Sequence, residues 1–371
     1  MKFYLYSFLI FCLHLNASFA LPRFAVQEGA SCIACHVNPT GSGMRNSHGN
    51  DIVALDDLPL KRWLDKGNDD WDGYITDHLQ IGGDLRLQGI QYNDTDIKRK
   101  SAFFPMQADM YFNLGLNDNA SIFTKVGFKG GAIMSMEYWA LISNLPQKSW
   151  MKIGQALPNY GLRVDDHTSF IRGGNLSKTS AGLDKEGLIF TPYLSSPVIL
   201  ELGMPMTSEL ELTTSISTGL INLNDEMNNL TTQLTYRSSL RDAVKYRTSF
   251  SYMKEDELNM LGLSGGMALG NFTFTFSLDQ AENWNADATS LAIYDELSWE
   301  LLQGIQIIGK YDFFDPDTEL SDGAISRYTL GAEIYPLNIM EIKIQVRMNE
   351  VDMENPPNND PEYLIQTHLY F

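Results

Sequence analysis

The chain has 371 residues, with 27 lysines and arginines against 46 aspartates and glutamates, a formal net charge of −19. A field of that sign repels polyphosphates, which excludes nucleic acid as a partner. Past the first twenty residues no run approaches about eighteen apolar positions, so helical membrane spans are excluded as well.

Residues 1–20 read as a cleaved signal peptide: Lys2 is the positive end, FYLYSFLIFCLHL the apolar stretch, and Ser18 and Ala20 the small residues of the cleavage site. Cys12 is removed with it. The mature chain then keeps two cysteines, Cys32 and Cys35, both inside GASCIACHVNPTGSGMRNSHG.

Cys32-Ile-Ala-Cys35-His36 is the c-type haem attachment pattern. Thiols three residues apart on one helical turn can add to the two haem vinyl groups, and His36 follows at once to supply an axial imidazole. Two other readings use the same residues. A pair so spaced in an exported protein can form a disulfide or a redox-active dithiol. It can also bind zinc with two nearby histidines, although the usual finger spacing wants a further histidine after His48. For a second axial ligand the local candidates are Met44 and His48, with five-coordinate iron as the third option. Arg45 is a candidate partner for a haem propionate, the alternative being an exposed surface arginine. The segment over residues 21–77 has too little apolar content for a core of its own and is expected to lean on the rest of the chain. Within it, LDDLPLKRWLDKG reads as a short helix presenting Leu55, Leu58, Leu60, Trp63 and Leu64, either plugging a channel mouth or linking along the surface.

From residue 78 to 371 the pattern changes to period two. FPMQADMYFNLGL sets Met106, Ala108, Met110 and Phe112 against Gln107, Asp109, Tyr111 and Asn113. FTFTFSLD opposes Phe272, Phe274, Phe276 and Leu278 to Thr273, Thr275 and Ser277, and MEIKIQVRMNE opposes Ile342, Ile344, Val346 and Met348 to charged and amide residues. Alternation alone does not say which face points inward. Export, together with the alternating last strand EYLIQTHLYF and its terminal Phe371, points to lipid outside and a polar lumen inside. Tyr311, Phe313, Tyr335 and Tyr370 are expected in the interfacial girdles. Turns at 117–120, 270–271, 302–304 and 337–338 are short, while NDTDIK, EDELN, DPDTELSDGA and VDMENPPNNDP read as longer external loops. Counts from the two ends give about sixteen strands, with fourteen or eighteen as alternatives, because they disagree in parity between residues 186 and 221. The class is therefore all-β, an outer-membrane antiparallel barrel.

PNYGLRVDDHTSFIRGG, residues 158–174, lies in a long connection able to fold into the lumen. Asp165, Asp166 and His167 are a candidate metal site, the alternative being a constriction loop tied by the same charges and by Arg163 and Arg172. The acidic outer loops are either collectors of cations such as Fe²⁺ or a solvated surface.

A leader, then LPRFAVQEGASCIACH, Asn46 and Gly49 as N-x-x-G, a linker and a barrel ending in Phe resemble the fused monohaem cytochrome–porins of the outer membrane, among them the outer-membrane cytochromes of iron-oxidising bacteria. The motif similarity covers about residues 21–52; the barrel shares architecture only. VNPTGSGMRNSHG is more glycine-rich and polar than the iron oxidisers' segment. The resemblance implies one covalent haem c in or plugging the lumen. It also implies electron exchange between an extracellular donor or acceptor, Fe(II) being the most concrete, and a periplasmic cytochrome or other carrier. A diffusion porin whose haem segment is a plug, sensor or structural element is the competing reading, and a soluble exported cytochrome with a β-sandwich is a third.

Overall fold

The computed structural model describes residues 22–50, 53, 58–60, 73–93, 99–129, 132–164, 166, 168–174, 187–188, 196–221, 224–240, 243–284, 287–352 and 361–371. The expected signal peptide, and Leu55, Trp63 and Leu64 of the expected helix, lie outside the described residues. Among those described, a short helix, α1 (Pro22–Glu28), a 3-10 turn (Cys32–Ala34) and further helical backbone at residues 47–50 and 53 precede the sheet.

The first strands are β1 (Tyr74–Thr76), β2 (Leu79–Asn93), β3 (Arg99–Asn117), β4 (Ala120–Lys129), β5 (Ala132–Leu145) and β6 (Ser149–Gln155). After a long connection come β7 (Val198–Pro205), β8 (Leu210–Ser217), β9 (Asn229–Leu240), β10 (Val244–Glu255), β11 (Leu258–Leu269) and β12 (Phe272–Glu282). The last are β13 (Thr289–Leu302), β14 (Ile305–Asp315), β15 (Ile325–Leu337), β16 (Met340–Val351) and β17 (Glu362–Tyr370). Each pairs antiparallel with its sequence neighbour from β2 onward, and β17 returns to pair with β2, Leu364 opposite Ile90 and His368 opposite Arg86. Of the seventeen strands, β1 only adds three residues against β2; the other sixteen close the barrel. The stretch where the two strand counts disagree holds β7 and β8, paired Leu202 to Thr214.

Orientation follows from which side chains each strand exposes. Phe103 is 74% and Leu330 66% exposed, and they belong to an outer surface of Leu, Ile, Phe, Met and Val. The inner face carries Lys152 and Glu201, both 0% exposed and paired at 2.6 Å, with Gln233, Thr273, Arg327, Lys343 and Arg347 around it. Charge inside and hydrocarbon outside is stable only where the outer solvent is lipid. The protein is therefore an outer-membrane barrel. The seam ends and short turns such as 118–119, 270–271 and 303–304 mark the periplasmic end, and the long connections at 156–197, 218–228 and 316–324 the external one.

Three expectations are corrected. EDELN is no long loop: β10 and β11 pair as far as Glu255 with Leu258, and Asp256 takes φ 54 to close a two-residue turn. Tyr335 and Tyr370 face the lumen, because their parity in β15 and β17 is that of Arg327 and His368; Tyr335 is 2% exposed and bonds Glu341. Met106 also points inward, for a reason given below.

Candidate functional site: a chamber between two lumen plugs

The N-terminal segment enters the periplasmic half of the lumen and is tied to its wall. Arg23 donates to Glu296 Oε1 at 3.0 Å, to Glu333, and to the Tyr335 hydroxyl at 3.2 Å. Burial opposes its charge, but Glu333 and Glu296 hold the Arg23 guanidinium well above its usual pKa. One turn on, Gln27 Nε2 donates to Thr273 Oγ1 at 2.7 Å. Leu58 and Leu60 are buried, and the Leu60 N–H donates to the Tyr335 carbonyl at 3.0 Å near the turn at Gly304. Those two residues thus pack at the periplasmic mouth.

The CxxCH stretch is held as a compact loop. The His36 N–H donates to the Cys32 carbonyl at 3.0 Å, and Val37 and Asn46 return to Met44 and Cys35. Asn46 of the N-x-x-G pair does the clamping: its amide donates to the carbonyls of Ile33 and Ala34, and its Oδ1 accepts the Gly49 N–H at 3.0 Å. Gly49 is required there, since a Cβ would lie 2.2 Å from the Cys35 carbonyl oxygen. Cys32 and Cys35 are free thiols. Burial pushes the Cys35 thiol up to about 11, with Glu28 and Cys32 adding to it, the reverse of the shift that marks a redox-active thiolate.

The external half is filled by the 156–174 connection. Phe170 is fully buried against Phe314, and Tyr160, Leu162, Ile171 and Leu188 pack on Met253, Met260 and Ile325 of the wall. A clasp fixes its tip: Asp166 Oδ2 lies 3.1 Å from Arg347 and 3.4 Å from Lys310, and Arg327 donates to the Thr168 carbonyl at 2.7 Å. Burial works against the Asp166 charge, yet Arg347, Lys310 and bonds from Thr168 hold its carboxyl well below the usual range. Asp166 is thus paired with the wall cations Arg347 and Lys310 and not with Arg163 or Arg172 of its own loop. Asp165 and His167 lie outside the described residues.

Between the two plugs lies a cavity of about 340 Å³, within the range of small-molecule and cofactor pockets. Cys32, Cys35, His36 and Arg45 line it from below, Leu157, Leu162, Arg163 and Arg172 from above, and Tyr111, Phe123 and Arg247 from the wall. Arg247 Nη1 sits 3.6 Å from Cys32 Sγ, and Arg163 reaches down to the Gly41 carbonyl at 3.4 Å and Ser42 Oγ at 3.3 Å. At Gly41, φ +85, a Cβ would stand 3.1 Å from Cys32 Sγ and crowd the sulfur. These features fit a haem: two thiols and an imidazole on one wall, apolar and aromatic surface, and arginines for propionates.

Not every candidate gathers there. Arg45 does, with its guanidinium 4.4 Å over the Tyr370 ring. Met44 is 3% exposed and buried in an apolar cluster with Phe123, Trp139 and Trp150, and His48 is exposed; neither lines the cavity. Arg163, Arg172 and Arg247 as cavity residues were legible only as charges in a loop and a strand.

The barrel superposes on solved porins. OmpT of Vibrio cholerae gives a TM-score of 0.54 at 10% identity, over 80% of this chain and 99% of that one. An anion-selective porin from Comamonas acidovorans gives 0.54 at 8% identity, over 79% and 99%. OprB of Pseudomonas putida gives 0.55 at 8% identity, over 79% and 94%. At these identities the likeness establishes a porin-type barrel fold. No family model and no curated protein matches the sequence.

Proposed function

We propose that this chain is an outer-membrane c-type cytochrome–porin that carries electrons between an extracellular donor or acceptor, Fe(II) being one, and periplasmic carriers. The observation that carries the reading is the placement of Cys32, Cys35 and His36 on one wall of a lumen cavity. Cys32 and Cys35 would hold a haem through thioethers and His36 through its imidazole; bound there, the group supplies a one-electron couple at membrane depth. Arg45, Arg163, Arg172 and Arg247 would bind and orient it through its propionates. The inner segment and the outer plug, among the described residues, occupy the two halves of the lumen on either side of this cavity.

The porin likeness favours a second reading, a diffusion channel in which the N-terminal segment is a plug, sensor or structural element. One experiment separates the two. The protein, reconstituted in liposomes around a trapped electron acceptor, is exposed to an impermeant external reductant. Haem-stained wild type should pass electrons, and Cys32→Ala/Cys35→Ala should lose both stain and transfer. Equal reduction through the double mutant would leave the diffusion channel as the function.

A further inference from the structure

The N-terminal segment turns its two other candidate ligands away from the cavity, Met44 into the wall and His48 outward. The barrel wall offers another. In the pairing of β2 with β3, Arg86 is opposite Gln107 and Leu87 opposite Pro105, so the register skips Met106. Pro105 has no N–H to give the ladder, and a bulge is where a sheet accommodates that loss. The bulge changes where Met106 points. Continued alternation from Ala108, Met110 and Phe112 would send it to lipid; instead it is 5% exposed and lines the cavity shared by Cys32, Cys35 and His36.

Met106 belongs to none of the three buried apolar clusters; Arg86 and Gln88 are its neighbours in the ladder register, and Gln366 contacts its sulfur. Gln366 Nε2 donates to Met106 Sδ at 3.1 Å, which orients the sulfur. The histidine on the cavity wall is committed elsewhere: His368 Nε2 lies 3.0 Å from Asp84 and Nδ1 3.0 Å from Glu341. With a carboxylate facing each nitrogen, a metal at this ring would have to displace one of those two contacts.

We infer that Met106, aimed inward by the β3 bulge, is the second axial ligand of the haem; the inference rests on the function proposed above. A thioether opposite imidazole raises the reduction potential relative to two imidazoles.

The test uses full-length holoprotein in detergent, each variant checked for haem stain and for the heat-dependent gel shift of a folded barrel. The oxidised wild type should show the weak far-red sulfur-to-iron band. Met106→Leu, a volume-conserving change, should keep the stain and the fold but lose that band, gain high-spin character and fall in potential. Met106→His should restore a low-spin spectrum without the band, while Met44→Leu and His48→Ala should leave the wild-type spectrum unchanged. A stained Met106→Leu protein with an unchanged spectrum overturns this inference alone, as does loss of the band in Met44→Leu. A wild type with no covalent haem overturns the functional reading and this inference with it.

Discussion

The inner segment, residues 22–50, meets the barrel wall through an ion cluster at Arg23, hydrogen bonds and the apolar packing of Met44, whereas the outer segment, residues 156–174, sets a larger apolar cluster against it, beside an ionic clasp and hydrogen bonds from Asn159 and Ser169 to Glu201 and Asp312. The wall is built to match. Where α1 lies, inward positions are Thr273, Glu296 and Glu333; around the outer segment they become Met253, Met260, Ala292, Phe314 and Ile325. An apolar residue facing a lumen is costly in water, so inward apolar positions mark where the lumen is occupied by chain. Parity says which way a residue points; the chemistry of the inward set says what it meets.

A first large effect that would break this contrast is expected at Arg23. Arg23→Met removes one side of a buried cluster and leaves Glu296 to Lys310 at 3.5 Å and Glu333 to Lys343 at 3.6 Å, a loss of about 3 kcal/mol. In detergent-solubilised protein, residues 22–50 should become protease-sensitive while the heat-dependent gel shift persists. Retained protection would mean that the inner segment, too, is held by packing.

Phe170→Ala probes the other half. Deleting a fully buried ring costs about 3 kcal/mol, and the loss should fall on the outer plug alone. Conductance in planar bilayers should rise, with protease protection of residues 22–50 unchanged. No change in conductance would show that the outer segment is not what closes the lumen.

The clasp gives a smaller, pH-resolved effect. A carboxyl held below its ordinary value contributes its stabilisation fully above the unfolded pKa, about 3.9 for aspartate, and loses it only as pH falls through the depressed value. Asp166 should therefore keep the outer segment closed, with flat conductance, between pH 7 and about 4. Asp166→Asn, which leaves Arg347 and Lys310 facing a neutral amide, should weaken closure by about 2 kcal/mol at every pH in that window. A conductance step near pH 6 in the wild type would contradict the assignment.

Much of this was legible in the residues themselves. Period-two alternation at Phe272–Leu278 and Ile342–Met348 gave the strands and their two faces, and the cysteine spacing gave the motif. Three things were hidden, each for a physical reason. The inward direction of Met106 depends on a bulge, which moves one residue out of phase without altering composition; Pro105 was the available signal. The placing of Met44 and His48 depends on how a glycine-rich loop folds against Trp139 and Trp150, contacts far apart in sequence. The arginines over the cavity come from a loop and from β10, and only barrel closure brings them to Cys32.

The smallest test asks whether single neutral hydrogen bonds matter to the inner segment at all. Gln27 Nε2 reaches Thr273 Oγ1 at 2.7 Å with both side chains buried, so Gln27→Leu leaves the threonine hydroxyl without its donor in a place where water does not readily replace it. The expected loss is about 1 kcal/mol, small beside the ionic cluster at Arg23. Protease digestion of residues 22–50 should speed up roughly fivefold, the factor that such a free-energy change gives when cleavage follows the open population. The double variant with Thr273→Val separates the bond from the packing. Removing both polar partners should recover much of the loss, because neither group is then buried without its mate. A double variant as labile as the sum of its singles would assign the contribution of Gln27 to shape and not to the bond.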